Sequence, residues 1–106
     1  MSYLNMEPLN AILHQPVRTQ LVAFLMTREN ATFKELKETL EITDGNLDAH
    51  IKKLITEKYI KSKKVAGKGR PQTFYALTKK GTQAFREYVQ TLQILLHADD
   101  HPQKTN

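Results

Sequence analysis

Apolar side chains return every three or four residues through most of this 106-residue chain, and nearly every second residue in one stretch past its middle. The first spacing predicts helices that bury one stripe, and the second predicts strands. Leu9, Ile12 and Leu13 follow Pro8, a residue suited to a first helical position, and predict a short opening helix. Pro16 opens PVRTQLVAFLMTR in the same way, with Val17, Leu21, Phe24 and Leu25 on one stripe and Val22 and Met26 widening it. Glu29-Asn30 breaks the pattern, and Ala31-Thr32-Phe33 has room only for a stub strand.

Thr32 and Glu35 have the Thr-x-x-Glu spacing of a capping box, in which each side chain satisfies the other residue's backbone amide. The helix they open, FKELKETLEI, turns Phe33, Leu36 and Leu40 inward and ends near Glu41-Ile42. Thr43 supplies a second cap, its hydroxyl placed to accept an amide proton from Gly45 or Asn46, and Asp44 favours the positive end of the helix that follows. In DGNLDAHIKKLITEKY the buried stripe is expected at Leu47, Ile51, Leu54 and Ile55 or Lys58. Gly45, Asn46, Asp48, Ala49, Lys52, Lys53 and Thr56 then face outward, with His50 at the boundary. Two helices joined by about three residues form a helix-turn-helix.

After Glu57 the period changes. Tyr59 to Val65 reads as a strand and Gln72 to Thr78 as its antiparallel return. Ala66 to Pro71 joins them in a loop longer than a two-residue turn: Gly67 and Gly69 tolerate positive φ, and Pro71 cannot donate to a central ladder. Thr78 caps a last helix from about Lys79 to His97. Gly81 in its first turn costs about 1 kcal/mol relative to alanine, which a close approach to the hairpin explains. Ala84, Phe85, Tyr88, Leu92, Leu95 and Leu96 form a broad stripe that Val89 and Ile94 extend. The first half covers a small core, so QTLQILLHA is expected to meet a second subunit.

The implied fold class is mainly α with a small antiparallel β-hairpin, a winged helix-turn-helix. Residues 1–7 are expected as a flexible N-terminal arm, 8–97 as the domain with 79–97 as its dimerisation helix, and 98–106 as a flexible tail.

Charge adds a location. The formal net charge is +5, yet Met1 to Glu57 carries six basic and eight acidic side chains while Lys58 to Arg86 carries nine basic and no acidic ones. A patch of this kind attracts a polyanion, although a solvated face or a membrane-surface contact has the same composition. No apolar run approaches the ~20 residues of a spanning helix, the first residues lack a signal pattern, and there is no cysteine for disulfides or thiolate metal sites. The expectation is a cytoplasmic protein without a membrane partner.

Catalysis has little to work with. Serine occurs at Ser2 and Ser62, neither in a nucleophile elbow, and Gly67-Lys68-Gly69 lacks the strand-loop-helix context of a P-loop. His14, His50, His97 and His101 show no close ligand spacing. Neither an enzyme nor a cofactor is expected, and a small-molecule effector cannot be read from the chain.

Double-stranded DNA is the expected partner. A major groove about 12 Å wide admits a helix, which makes Asn46, Ala49, His50 and Lys53 base-facing candidates and Thr43 and Lys52 phosphate-facing ones. Lys63, Lys64, Lys68 and Arg70 carry the charge of the hairpin, with Lys61 on its other face, and Arg70 suits a narrow A·T-rich minor groove. His50 reads almost equally well as a boundary residue satisfied inside the domain. Asp44 and Asp48 repel phosphates, although an aspartate also accepts from cytosine N4. The alternative is a winged domain that binds another protein, since a fold does not fix a function. Single-stranded nucleic acid fits poorly, because Phe74 and Tyr75 offer no multi-base stacking platform.

From roughly Leu9 to Leu96, through FKELKETLEITDGNLDAHIKKLITEKYI, the basic hairpin and GRPQTFYALTKKG, the chain resembles stand-alone winged-helix transcriptional regulators related to the MarR and ArsR groups. The resemblance implies a recognition helix at Thr43 to Lys58, a wing at Ala66 to Gln72, and a homodimer that binds an operator; repression by blocking polymerase follows from such binding, with activation as the alternative. It also implies that the terminal helix joins the first one in the interface, which adds Leu9, Ile12 and Leu13 to Tyr88, Leu92, Leu95 and Leu96. Gly69-Arg70-Pro71 lacks the acidic residue that precedes the wing arginine in the MarR pattern, and the metal cysteines of the ArsR arsenic sensors are missing. Neither group's effector transfers with the fold.

Overall fold

The computed structural model describes residues 9–67 and 69–100. The expected arm at 1–7, Pro8, Lys68 and residues 101–106 lie outside them. The elements run α1 (Pro16–Met26), β1 (Ala31–Thr32), α2 (Phe33–Leu40), α3 (Asp44–Thr56), β2 (Ile60–Val65), β3 (Gln72–Leu77) and α4 (Lys79–Asp100). The class is the one the sequence implies: mainly helical, with a helix-turn-helix in α2–α3 and a wing in β2–β3.

The expected opening helix is instead a turn. Asn10 Oδ1 accepts the amide protons of Ile12 and Leu13 at 2.9 and 3.0 Å, a side-chain substitute for helical bonding. Asn10 Nδ2 also donates to the Tyr59 hydroxyl at 2.9 Å, tying the turn to the far end of α3. Helix α1 then starts where Pro16 predicts, with Gln15 Oε1 accepting the amide proton of Arg18 at 2.8 Å. It buries Leu21, Val22 and Leu25, so the stripe is centred one residue away from Val17 and Phe24, which are partly buried.

The Thr32–Glu35 capping box is complete. Thr32 Oγ1 accepts from the Glu35 amide at 3.1 Å, and Glu35 Oε1 accepts from the Thr32 amide at 2.9 Å. The Thr32 amide, and then Arg28 beside it, hold the Glu35 carboxyl below its ordinary range. The stub strand does more than its length suggests. Ala31 pairs with Tyr75 and Thr32 with Phe74, which gives a three-stranded antiparallel sheet in the order β1-β3-β2. The wing is thereby fastened at its base to the start of α2.

Helix α3 buries Leu47, Ile51 and Leu54. Ile55 and Lys58, the alternatives for a fourth stripe position, are outside it: Ile55 is 38% exposed and Lys58 has left the helix at φ 64°. The Tyr59 amide donates to the Leu54 carbonyl and the Lys58 amide to that of Ile55, both at 2.9 Å, which is a Schellman stop.

The last helix begins on a two-way contact. Thr78 Oγ1 accepts from the Gly81 amide at 2.9 Å and donates to the Lys58 carbonyl at 2.6 Å, so one hydroxyl caps α4 and pins it to the exit of α3. Leu13 and Tyr88, expected at a subunit interface, are 0% and 6% exposed within this one chain. They are core residues, since little of either side chain remains to offer another copy. The helix continues to Asp100, three residues past its expected end at His97. Its packing on the core reaches Leu92, and beyond it Ile94 and Leu96 are 50% and 63% exposed.

Candidate nucleic-acid interface

The buried Leu47, Ile51 and Leu54 fix which side of α3 is free. Asn46, Ala49, His50 and Lys53 follow helical spacing along one stripe; the first, second and fourth are exposed and His50 is half-buried. Thr43 caps the helix, its hydroxyl accepting the Asn46 amide proton at 3.2 Å. Its O–H remains a donor.

The two acids of α3 are each paired. Lys37 from α2 meets Asp44 at 2.8 Å, and Lys52 meets Asp48 at 2.9 Å one turn along the same helix. Such exposed pairs contribute little stability. They do offset the negative charge that Asp44 and Asp48 would otherwise turn toward a polyanion. Lys52 is therefore engaged, while Lys53 pairs with no acid among the described residues.

His50 has a partner that no local pattern revealed. Arg18 on α1 approaches its Nδ1 through Nη1 at 3.2 Å, while Arg18 Nε donates to the Ile12 carbonyl at 2.6 Å. Burial, and then the Arg18 charge, push the His50 pKa below its ordinary value, so the ring is neutral at pH 7. Arg18 and Lys37 thus join the α3 face from α1 and α2, and no pattern within α3 points to either. Arg18 lies 32 positions from His50, a separation at which no periodicity gives a signal.

The wing divides its lysines. Ile60 pairs with Leu77 and Ser62 with Tyr75, whereas Lys63 pairs with Phe74 and Lys64 with Thr73. Alternation along the strand puts Lys61 and Lys63 on one face and Lys64 on the other, so adjacent lysines do not form one track and Lys61 stands with Lys63. Arg70 is exposed at the tip, next to Gly69 at φ 84°, where a residue with a Cβ would be strained. Lys68 is outside the described residues. Tyr75 packs against the core rather than presenting a stacking surface, and burial, followed by the charge of Asp48, pushes its phenol upward.

Among the described residues, no three His, Cys, Asp or Glu side chains converge as metal ligands, and no helix is long and apolar enough to cross a membrane. The arrangement instead offers a polar helix face flanked by a basic hairpin. The winged helix DNA-binding domain family matches residues 17–96, from the first turn of α1 into the last turns of α4. The chain belongs to this family.

The winged helix domain has relatives that agree in extent. An uncharacterized protein from Methanocaldococcus jannaschii is 41% identical over 78 residues, which is 74% of this chain and 85% of the relative. The transcriptional regulator homologue protein from Pyrococcus horikoshii OT3 superposes with a TM-score of 0.82 at 31% identity, covering 94% of this chain and 99% of that one. Diamide-treated YodB from B. subtilis shares the fold with a TM-score of 0.70 at 22% identity, over 85% of each chain. In this winged helix domain α3 is the second helix of the helix-turn-helix and β2–β3 is the wing.

Proposed function

We propose that the protein is a sequence-specific double-stranded DNA-binding transcriptional regulator that acts as a homodimeric repressor of the MarR/ArsR kind. The observation that carries this reading is the outward stripe of α3. Asn46, Ala49 and Lys53 are exposed along a helix whose acids are both paired, beside a hairpin with basic and no acidic residues.

In this reading α3 enters the major groove, with Asn46 and Lys53 at base edges and Thr43 at a phosphate. Arg70 reaches the flanking minor groove or backbone, with Lys63 or Lys64 at phosphates according to which hairpin face meets the duplex. The apolar end of α4, from Leu92 through Leu96, pairs two copies. A two-fold dimer then sets half-site centres about 34–36 Å apart on a pseudopalindrome, and occupancy blocks polymerase.

A salt titration of duplex binding tests this. A dimer making about six to ten phosphate contacts loses about three to five decades of affinity between 50 and 200 mM salt. Absence of duplex binding at low salt would refute the proposal and favour a protein partner.

A further inference from the structure

The Arg18–His50 contact carries chemical information beyond packing. A guanidinium has five N–H donors, no acceptor and no accessible neutral form. His50 Nδ1, 3.2 Å from Arg18 Nη1, is therefore the acceptor of that hydrogen bond. A neutral imidazole that accepts at Nδ1 carries its proton on Nε2. The neutral form is the relevant one at pH 7, because burial and the neighbouring guanidinium both disfavour protonation.

The donor is itself held from two sides. Arg18 Nε donates to the Ile12 carbonyl at 2.6 Å, and that carbonyl belongs to the turn fixed by Asn10 Oδ1 on the Ile12 and Leu13 amides. The Arg18 backbone amide is held by Gln15 Oε1 at 2.8 Å. On the other side of the ring, Nε2 has no partner among the described residues. No described side chain leaves a buried nitrogen or oxygen unpaired, so Nε2 is open to solvent. His50 itself stands on the stripe shared with Asn46, Ala49 and Lys53.

We infer that Arg18 is a positioning residue that locks His50 in its Nε2–H tautomer, making position 50 of the recognition helix an obligate hydrogen-bond donor toward the DNA. In the major groove an obligate donor accepts purine N7, guanine O6 or thymine O4 as partners and rejects the cytosine N4 amino group, which is itself a donor. The inference deepens the DNA-binding proposal and rests on it for its second half. Its first half, the tautomer, belongs to the free protein.

Two measurements separate the halves. Long-range ¹H–¹⁵N NMR of the free, full-length protein at neutral pH reads the tautomer: a protonated Nε2 and an unprotonated Nδ1 are expected. A protonated Nδ1, or an even mixture, overturns the lock without any variant having to fold. Selection from a random duplex pool then compares the unaltered protein with Arg18→Met. Released from Arg18, His50 also populates the tautomer whose Nε2 accepts, so the variant should gain tolerance of cytosine at one step of each half-site, with discrimination there falling about tenfold. A uniform loss over all sequences, with the preference at that step intact and a shallower salt slope, makes Arg18 a phosphate contact and overturns the positioning role. If the unaltered protein selects no duplex, the DNA-binding proposal fails, and the base-reading half fails with it, whatever the tautomer.

Discussion

Gly81 of α4 lies so close to the Tyr59 carbonyl that a Cβ at position 81 would overlap that backbone group. The contact joins the first turn of the last helix to the chain leaving α3, where Thr78 already binds the Lys58 carbonyl. Gly81→Ala sets a favourable helix propensity of about 1 kcal/mol against backbone overlap, and overlap wins because neither side is a flexible side chain. Urea denaturation should show a net loss of about 2 kcal/mol. An unchanged or higher midpoint would mean the two elements separate at little cost.

Lys58 adopts a left-handed conformation at φ 64° to complete the Schellman stop of α3, which a Cβ disfavours. Lys58→Gly should raise stability by about 0.5–1 kcal/mol, the relief of local strain exceeding the extra unfolded-state entropy. Thermal unfolding checks the sign.

The depressed pKa of His50 has a pH signature. Its unfolded value is near 6.5 and its folded value lies lower, so the folded state binds fewer protons between the two. The contribution to stability is fully present above about pH 6.5 and is lost as pH falls through the folded value. Melting temperature should drop across that window, and His50→Gln should flatten this part of the profile. Identical profiles for both proteins would show that His50 is not the titrating group.

Asn46→Ala and Arg70→Ala should fail differently on DNA. Asn46→Ala is expected to weaken the preferred site by about 1–3 kcal/mol while sparing unrelated duplexes. Arg70→Ala should weaken most duplexes or shift A·T preference. Equal, sequence-independent losses in titrations at fixed salt would place Asn46 outside base readout.

Ile94 and Leu96 project from α4 beyond the point where the helix covers its own core. Replacing both with aspartate should halve the sedimenting mass while leaving helical content intact. A wild-type chain that already sediments as a monomer would remove the interface.

Much of the fold was legible because it rests on local rules. The Thr32–Glu35 box, the Thr43 and Thr78 caps and the buried leucines of α3 each involve residues within a turn or two of one another. The opening segment misled because Leu9, Ile12 and Leu13 fit a helical period while the Asn10 side chain takes the amides that a helix needs. Ile55 misled for a related reason: it fits the stripe, but α3 ends one residue later and its side chain stays 38% exposed.

The sequence by itself determined the order of the elements from α1 onward, the caps, the acid-free hairpin and the exposed stripe of α3. It did so because helical and strand periods, and the demands of unpaired amides, are short-range constraints. Only the tertiary structure decided that Ala31-Thr32 completes the sheet and that Leu13 and Tyr88 belong to the core. Only it brought Arg18 to His50 and Lys37 to Asp44. Those outcomes depend on how α1, α2 and the hairpin dock around α3, and docking is set by the combined burial of residues far apart in the chain, which no local window contains.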